Sequence, residues 1–268
     1  MEENIVSTNS PLQHELDILN ERITNVKREV GKLVVGQEKT IDLIMAGIFT
    51  GGHILLEGVP GIAKTLTAKL LARTLSVDFS RIQFTPDLMP TDVVGTSVFN
   101  LKTSEFTFTR GPVFGNVVLV DEINRAPAKT QSALFEVMEE RQITVDGTTY
   151  QLDFPFVIIA TQNPIEQEGT YRLPEAQLDR FLFRIKLTYL TLEQEIEILK
   201  LFRNDFTMKS LHTVEAVLSR EELKHCQQII EKIHIKDEIL AYIAQVVANT
   251  RNHSDLSLGA SPRASLSI

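Results

Sequence analysis

His53-Ile54-Leu55-Leu56-Glu57 runs straight into Gly58-Val59-Pro60-Gly61-Ile62-Ala63-Lys64-Thr65-Leu66. A short apolar run that ends at a glycine-rich turn reads as a buried strand, and the helical pattern resumes at Lys64. Such a turn lets backbone N–H groups close around phosphate oxygens at a helix N-terminus. A lysine there reaches the outer phosphates, and a Ser or Thr hydroxyl faces Mg²⁺. Gly58, Pro60, Gly61, Ile62, Ala63, Lys64, Thr65 and Leu66 are therefore candidate binding residues, with Ala63 standing where the general pattern has glycine.

Working outward, apolar or β-branched runs recur at 81–84, 117–121, 156–161 and 182–187, mostly separated by helix-length segments. Strands that alternate with helices predict a parallel sheet covered on both faces. The run Val117-Val118-Leu119-Val120 ends in Asp121-Glu122. An acid at that tip can hold Mg²⁺ through water opposite Thr65, and its neighbour can polarise an attacking water. A solvated strand end would read the same way in isolation, but both motifs fall at the C-terminal edge of one sheet, where such folds bind ligands.

Two segments with period-2 patterning, 97–108 and 143–152, predict hairpins that project from the sheet, the second around Asp146-Gly147. Phe99, Phe106 and Phe108 on the first either pack it down or stay free to contact another molecule, and packing is the commoner fate of alternating aromatics. Leu12, Leu16, Leu19, Ile23, Val26, Val30 and Leu33 form one helical stripe, packed on the domain or paired in a coiled coil. Residues 1–11 read as a loose tail and 12–190 as the α/β core. From 191 to 268 the pattern is helical, with helices expected near 192–203, 220–232 and 236–250.

The chain has 268 residues, 43% of them apolar, and a net charge of −8. That length buries a proper core and excludes disorder as the main state. The single Cys226 can form no internal disulfide, and no ordered His or Cys spacing marks a zinc site. With no membrane-length apolar run and no secretion signal at the start, a cytoplasmic protein is expected. The acidic balance lowers the expectation of nucleic-acid binding.

These motifs, in this order, resemble the AAA+ ATPases and most closely the MoxR family. The pieces that carry the resemblance are VVGQEKTI at 34–41, GVPGIAKT at 58–65, VVLVDEINRAP at 117–127, ALFEVMEERQITVDG at 133–147, IIATQNP at 158–164, LPEAQLDRFLFR at 173–184 and GASPRA at 259–264. In that family Ala63 is usual. The resemblance implies a five-stranded parallel sheet in the order 5-1-4-3-2, a small helical lid after it, ATP and Mg²⁺ as cofactors, and a homo-oligomeric, hexameric ring acting on a protein client. Carried over by position, Lys64 and Thr65 bind phosphates and Mg²⁺, Asp121 is the metal-side acid and Glu122 prepares the water. Asn163 matches the polar sensor of the γ-phosphate or the lytic water. Arg180 matches the arginine finger that reaches the neighbour's nucleotide, with Arg184 and then Arg172 as rivals. Arg263 matches the lid's sensor arginine, and Val35 and Gly36 fall where relatives contact adenine. The family lid continues beyond Ile268, so the chain is expected to be truncated.

Two other readings stay open on the sequence. A nucleotide-dependent assembly switch would hydrolyse little, but would not need Glu122, Asn163 and Arg180 together. A nucleic-acid translocase would share the hairpins, yet only Lys102 and Arg110 flank the first and no basic residue lies within the second.

Overall fold

A computed structural model describes residues 11–58, 63–102, 104–163, 171, 173–203 and 213–268. Its sheet strands are β1 (His53–Glu57) and β2 (Phe79–Gln83), followed by the hairpin strands β3 (Gly95–Asn100) and β4 (Glu105–Arg110). Next come β5 (Val117–Asp121), a second hairpin of β6 (Gln142–Val145) and β7 (Thr148–Gln151), then β8 (Val157–Gln162) and β9 (Phe181–Lys186). Among the described residues one sheet has five strands in the order β2-β5-β8-β1-β9, every neighbouring pair parallel. Numbering only those five along the chain gives 5-1-4-3-2 from the β9 edge, as the resemblance implies. The chain leaves β1, next to the β9 edge, for the far edge at β2, so β1 ends at a switch point, the usual ligand crevice of such sheets.

The helices are α1 (Pro11–Gly31), α2 (Glu38–Thr50), α3 (Lys64–Thr74), α4 (Pro90–Val94), α5 (Ala128–Glu140), α6 (Glu175–Leu178), α7 (Leu192–Leu201), α8 (Arg220–Glu231), α9 (Asp237–Arg251) and α10 (Pro262–Ser267). Successive strand residues point to opposite faces, which divides the interior into two cores. Ile54, Leu56, Val117, Leu119, Val157 and Ile159 join the core under α1, α2, α3 and α8. Leu55, Val118, Val120, Ile158 and Ala160 join the other, under α5. Removing one such side chain, as in Leu119→Ala, costs about 2–5 kcal/mol.

Helix α1 lies against α2, α3 and α8, with Leu19, Val26 and Val30 of its stripe buried. From Leu16 to Leu33 the stripe is thus spent inside the molecule, which leaves the coiled-coil alternative no free seam among the described side chains. The helix starts at Pro11, which the expected tail had included. Helix α8 also belongs to this core, through Leu223, Cys226 and Ile229. A capping box starts it: the Glu222 N–H donates to Ser219 Oγ at 3.2 Å and the Ser219 N–H to Glu222 Oε2 at 2.8 Å.

Strand β2 starts two residues before the expected 81, because Phe79 and Ser80 already pair with Val117 and Val118. Both hairpins are present. Asp146 and Gly147 have φ of 51° and 76°, the double positive that a two-residue turn matched to strand twist requires. Phe108 stacks on Tyr150 with ring centroids 4.6 Å apart, joining the two hairpins. Phe99 and Phe106 instead face each other in the open, 45% and 72% exposed, so packing accounts for only one of the three aromatics.

Candidate functional site

The turn between β1 and α3 delivers Lys64 and Thr65 to the sheet's C-terminal edge. Pro60, Gly61 and Ile62 lie outside the described residues. Ala63 caps α3 with φ 47°, a left-handed conformation that costs a residue with a Cβ about 1–2 kcal/mol. That is the physical reason the general pattern has glycine there. The Lys64 ammonium donates to the Gly58 carbonyl at 2.7 Å. Burial lowers its pKa, while the carboxylates of Asp121 and Glu122 act in the opposite sense, so all three belong to one electrostatic neighbourhood.

Asp121 closes β5. Its Oδ1 accepts the Thr161 hydroxyl at 3.2 Å and its Oδ2 accepts Arg81 Nε at 2.7 Å. Glu122 follows with φ 56°, a strained conformation typical of functional positions. It is pinned by its N–H to Thr161 Oγ1 at 3.0 Å. One oxygen of its carboxylate accepts Gln83 Nε2 at 2.9 Å and Arg125 Nη1 at 3.0 Å. On adjacent β8, Gln162 Oε1 is buried with no hydrogen-bond partner among the described residues, and Asn163 follows, half-buried.

The donor set suits Mg²⁺. It offers hydroxyl and carboxylate oxygens, the hard donors that this ion takes. Mg²⁺ is held that way, by one or two protein oxygens plus substrate phosphates and water.

A cavity of about 530 Å³ lies beside this edge, lined by Gly36, Gln37, Leu43, Arg184, Leu187 and Gln194 among others. Its size falls in the small-molecule range. Gly36 has φ 73°, and a Cβ there would come within 2.5 Å of the Gln194 side chain. One of its lining residues, Leu187, donates its N–H to Glu57 O at the end of β1, at 2.7 Å. Val35 precedes this wall without lining it.

The arginines divide. Arg184 Nε pairs at 2.8 Å with Glu57 at the end of β1, inside its own chain's cavity. Arg180 stands elsewhere, against α5. Its Nε donates to Glu139 Oε2 at 3.2 Å, and its guanidinium lies 5.8 Å from the centre of the Phe135 ring. Arg263 donates to the other oxygen of Glu139, and Ser261 Oγ donates to the Asp179 carboxylate at 2.8 Å. Arg263, the lid's sensor arginine by resemblance, thus stands beside Arg180 on a shared carboxylate. Arg172 lies outside the described residues.

Sequence reasoning missed Arg81, Gln83, Thr161, Arg125 and Glu139. A signal existed for Gln83, since β2 is polar at alternate positions and ends level with Asp121. Glu139 carried none, being 41 residues from Arg180 and 124 from Arg263.

A parallel sheet with a lysine-bearing turn at its switch point and an acid pair at the end of the next strand but one defines a P-loop nucleotide-binding protein. The profile of the ATPase family associated with various cellular activities (AAA) matches residues 53–183. Chaperone MoxR1 of Mycobacterium tuberculosis is 45% identical over 90% of this chain and 65% of its own length. YeaC, an uncharacterised protein of Bacillus subtilis, is 46% identical over 89% of this chain and 74% of its own. The crystal structure of a candidate ATPase from Cytophaga hutchinsonii superposes with a TM-score of 0.86 at 46% identity, covering 95% of this chain and 79% of that one. The chain belongs to the MoxR family of AAA+ ATPases, and it spans about two thirds to three quarters of these curated relatives. Among the described residues no helix is long and apolar enough to cross a membrane.

Proposed function

We propose that the chain hydrolyses ATP with Mg²⁺ in a cytoplasmic homo-oligomeric ring, hexameric as the resemblance implies, and uses the cycle for chaperone-like remodelling of a protein client. The observation that carries this reading is the convergence of Lys64, Asp121 and Glu122 on one sheet edge while Arg180 stands on a different face, against α5. Residues 12–190 then form the nucleotide-binding core and 191–268 the lid, whose α8 is anchored on α1 and α2.

In this reading Lys64 and the turn's backbone bind the phosphates, while Val35 and Gly36 border the base. Thr65 and Asp121 would hold Mg²⁺, which when bound neutralises charge on the β and γ phosphates. Glu122 takes a proton from the attacking water, and Asn163 orients that water or the γ-phosphate. Its pinned N–H fixes where the Glu122 carboxylate starts from, and Gln83 and Arg125 must release it. Arg180 neutralises phosphoryl charge across the subunit interface. A shared carboxylate brings Arg263 to the same interface. The name of the Mycobacterium relative supports a chaperone role, and the net charge of −8 weighs against nucleic acid as the client.

Glu122→Gln tests the reading. It should keep nucleotide affinity and lose turnover by about 10²–10⁴. Equal turnover in variant and parent would overturn the role of Glu122.

A further inference from the structure

We propose that Arg81 is a resident counter-cation for Asp121, holding the metal-side carboxylate until magnesium displaces it and thereby setting how much magnesium nucleotide binding requires. The proposal rests on the ATPase reading above. It starts from β2, an edge strand whose alternate residues share a face. Gln83 lies level with Asp121, and Arg81 lies level with Leu119, two residues back. The guanidinium covers that gap and places Nε 2.7 Å from Asp121 Oδ2. Its Nη2 meanwhile donates to Gln83 Oε1 at 3.2 Å. Since Thr161 already occupies Oδ1, both oxygens of Asp121 are engaged by the protein itself.

A hydrated Mg²⁺ at Asp121 needs an oxygen that faces outward and is free of a competing positive charge. The two cations repel each other, so one must yield. The exposures decide which: the Asp121 side chain is 12% exposed and held by Thr161, whereas that of Arg81 is 51% exposed. The arginine can swing into water at little cost, because a half-exposed ion pair holds weakly. The contact therefore works as an electrostatic plug. It satisfies a nearly buried carboxylate and withdraws when the stronger cation arrives.

The test is a magnesium titration of the binding of a fluorescent ATP analogue, on parent, Arg81→Gln and Arg81→Lys. In Arg81→Gln the midpoint should fall several-fold, with affinity in the absence of magnesium unchanged. Arg81→Lys keeps the charge and should stay near the parent midpoint. Thermal melts without nucleotide give a second readout: removing the plug should lower stability in EDTA, and added magnesium should recover more of it in Arg81→Gln than in the parent. An unchanged or raised midpoint in Arg81→Gln overturns the plug, a raised one meaning that Arg81 holds nucleotide instead. If the parent itself binds the analogue without regard to magnesium, the ATPase reading of Asp121 falls, and the plug with it.

Discussion

The sheet edge and the arginine face are both built around carboxylates held by cations, yet they are held differently. At the edge, Asp121 and Glu122 are fixed by neighbouring strands in register, with Thr161 bridging the side chain of one and the backbone of the other. At the arginine face, Glu139, Arg180 and Arg263 come from three separate segments, with side chains 39%, 32% and 42% exposed. Strand register costs nothing further to maintain once the sheet has formed, whereas three long exposed side chains share a weak, exchangeable contact. The edge resembles a finished half-site, and the face a half-site that can trade Glu139 for another anion.

The strongest way to break this comparison is to mix two inactive variants. Glu122→Gln and Arg180→Ala should each be nearly inactive, the second by about 10³–10⁵. A mixture should regain turnover by at least about tenfold over either alone, because an intact acid edge can then meet an intact arginine from a different chain. A mixture as inactive as its parts would place both half-sites within one chain.

A smaller effect is expected at Glu139. Glu139→Gln keeps the shape and removes the charge that orients both arginines, so turnover should fall by about tenfold or less while nucleotide affinity stays. In a cycle with Arg263→Ala the two effects should fail to add by about 0.5–3 kcal/mol, as for residues in contact. Strict additivity would mean that Glu139 and Arg263 act independently.

Acid should separate the two regions. His53, at the other end of β1 from the phosphate turn, accepts the Ile158 N–H on Nδ1 at 3.0 Å and places Nε2 3.1 Å from Met138 O. Burial lowers its pKa from 6.5 to about 4. The unfolded chain therefore binds a proton that the folded chain refuses, and stability falls as pH drops below 6.5, by about 3 kcal/mol at pH 4. Denaturant unfolding across that range should show the loss, and His53→Asn should flatten it. At Glu139, desolvation raises the pKa but is outweighed by the hydrogen bonds and charges of Arg263 and Arg180, leaving it below 4.5. The arginine face should thus keep its pairing where the sheet has begun to weaken. The smallest effect is at Ala63, where Ala63→Gly relieves the left-handed backbone and should stabilise the fold by about 1 kcal/mol or less in thermal melts.

The sheet was readable in the sequence because each strand is a short apolar run whose neighbours are helices, and because a phosphate turn must sit at a strand end. Asp121 and Glu122 were readable for the same reason. Arg81 and Glu139 were not. Their partners are set by strand register and by how α5 lies against the start of β9 and α10, and no local pattern encodes either. The left-handed backbone at Glu122 was hidden too, since local sequence favours glycine, not glutamate, in that conformation.

The packing of α5 has a mechanical side. Helix α5 carries Glu139 outward, while its inner face sets Leu134, Phe135 and Met138 in the same core as Val118 and Val120 of β5, the strand that ends in Asp121. A close-packed interior transmits displacement rather than absorbing it. A tug on Glu139 from outside is therefore delivered along a stiff rod to the strand bearing the acids, so that in the proposed ring the grip of one subunit on its neighbour and the readiness of its own acid edge would move as a single lever.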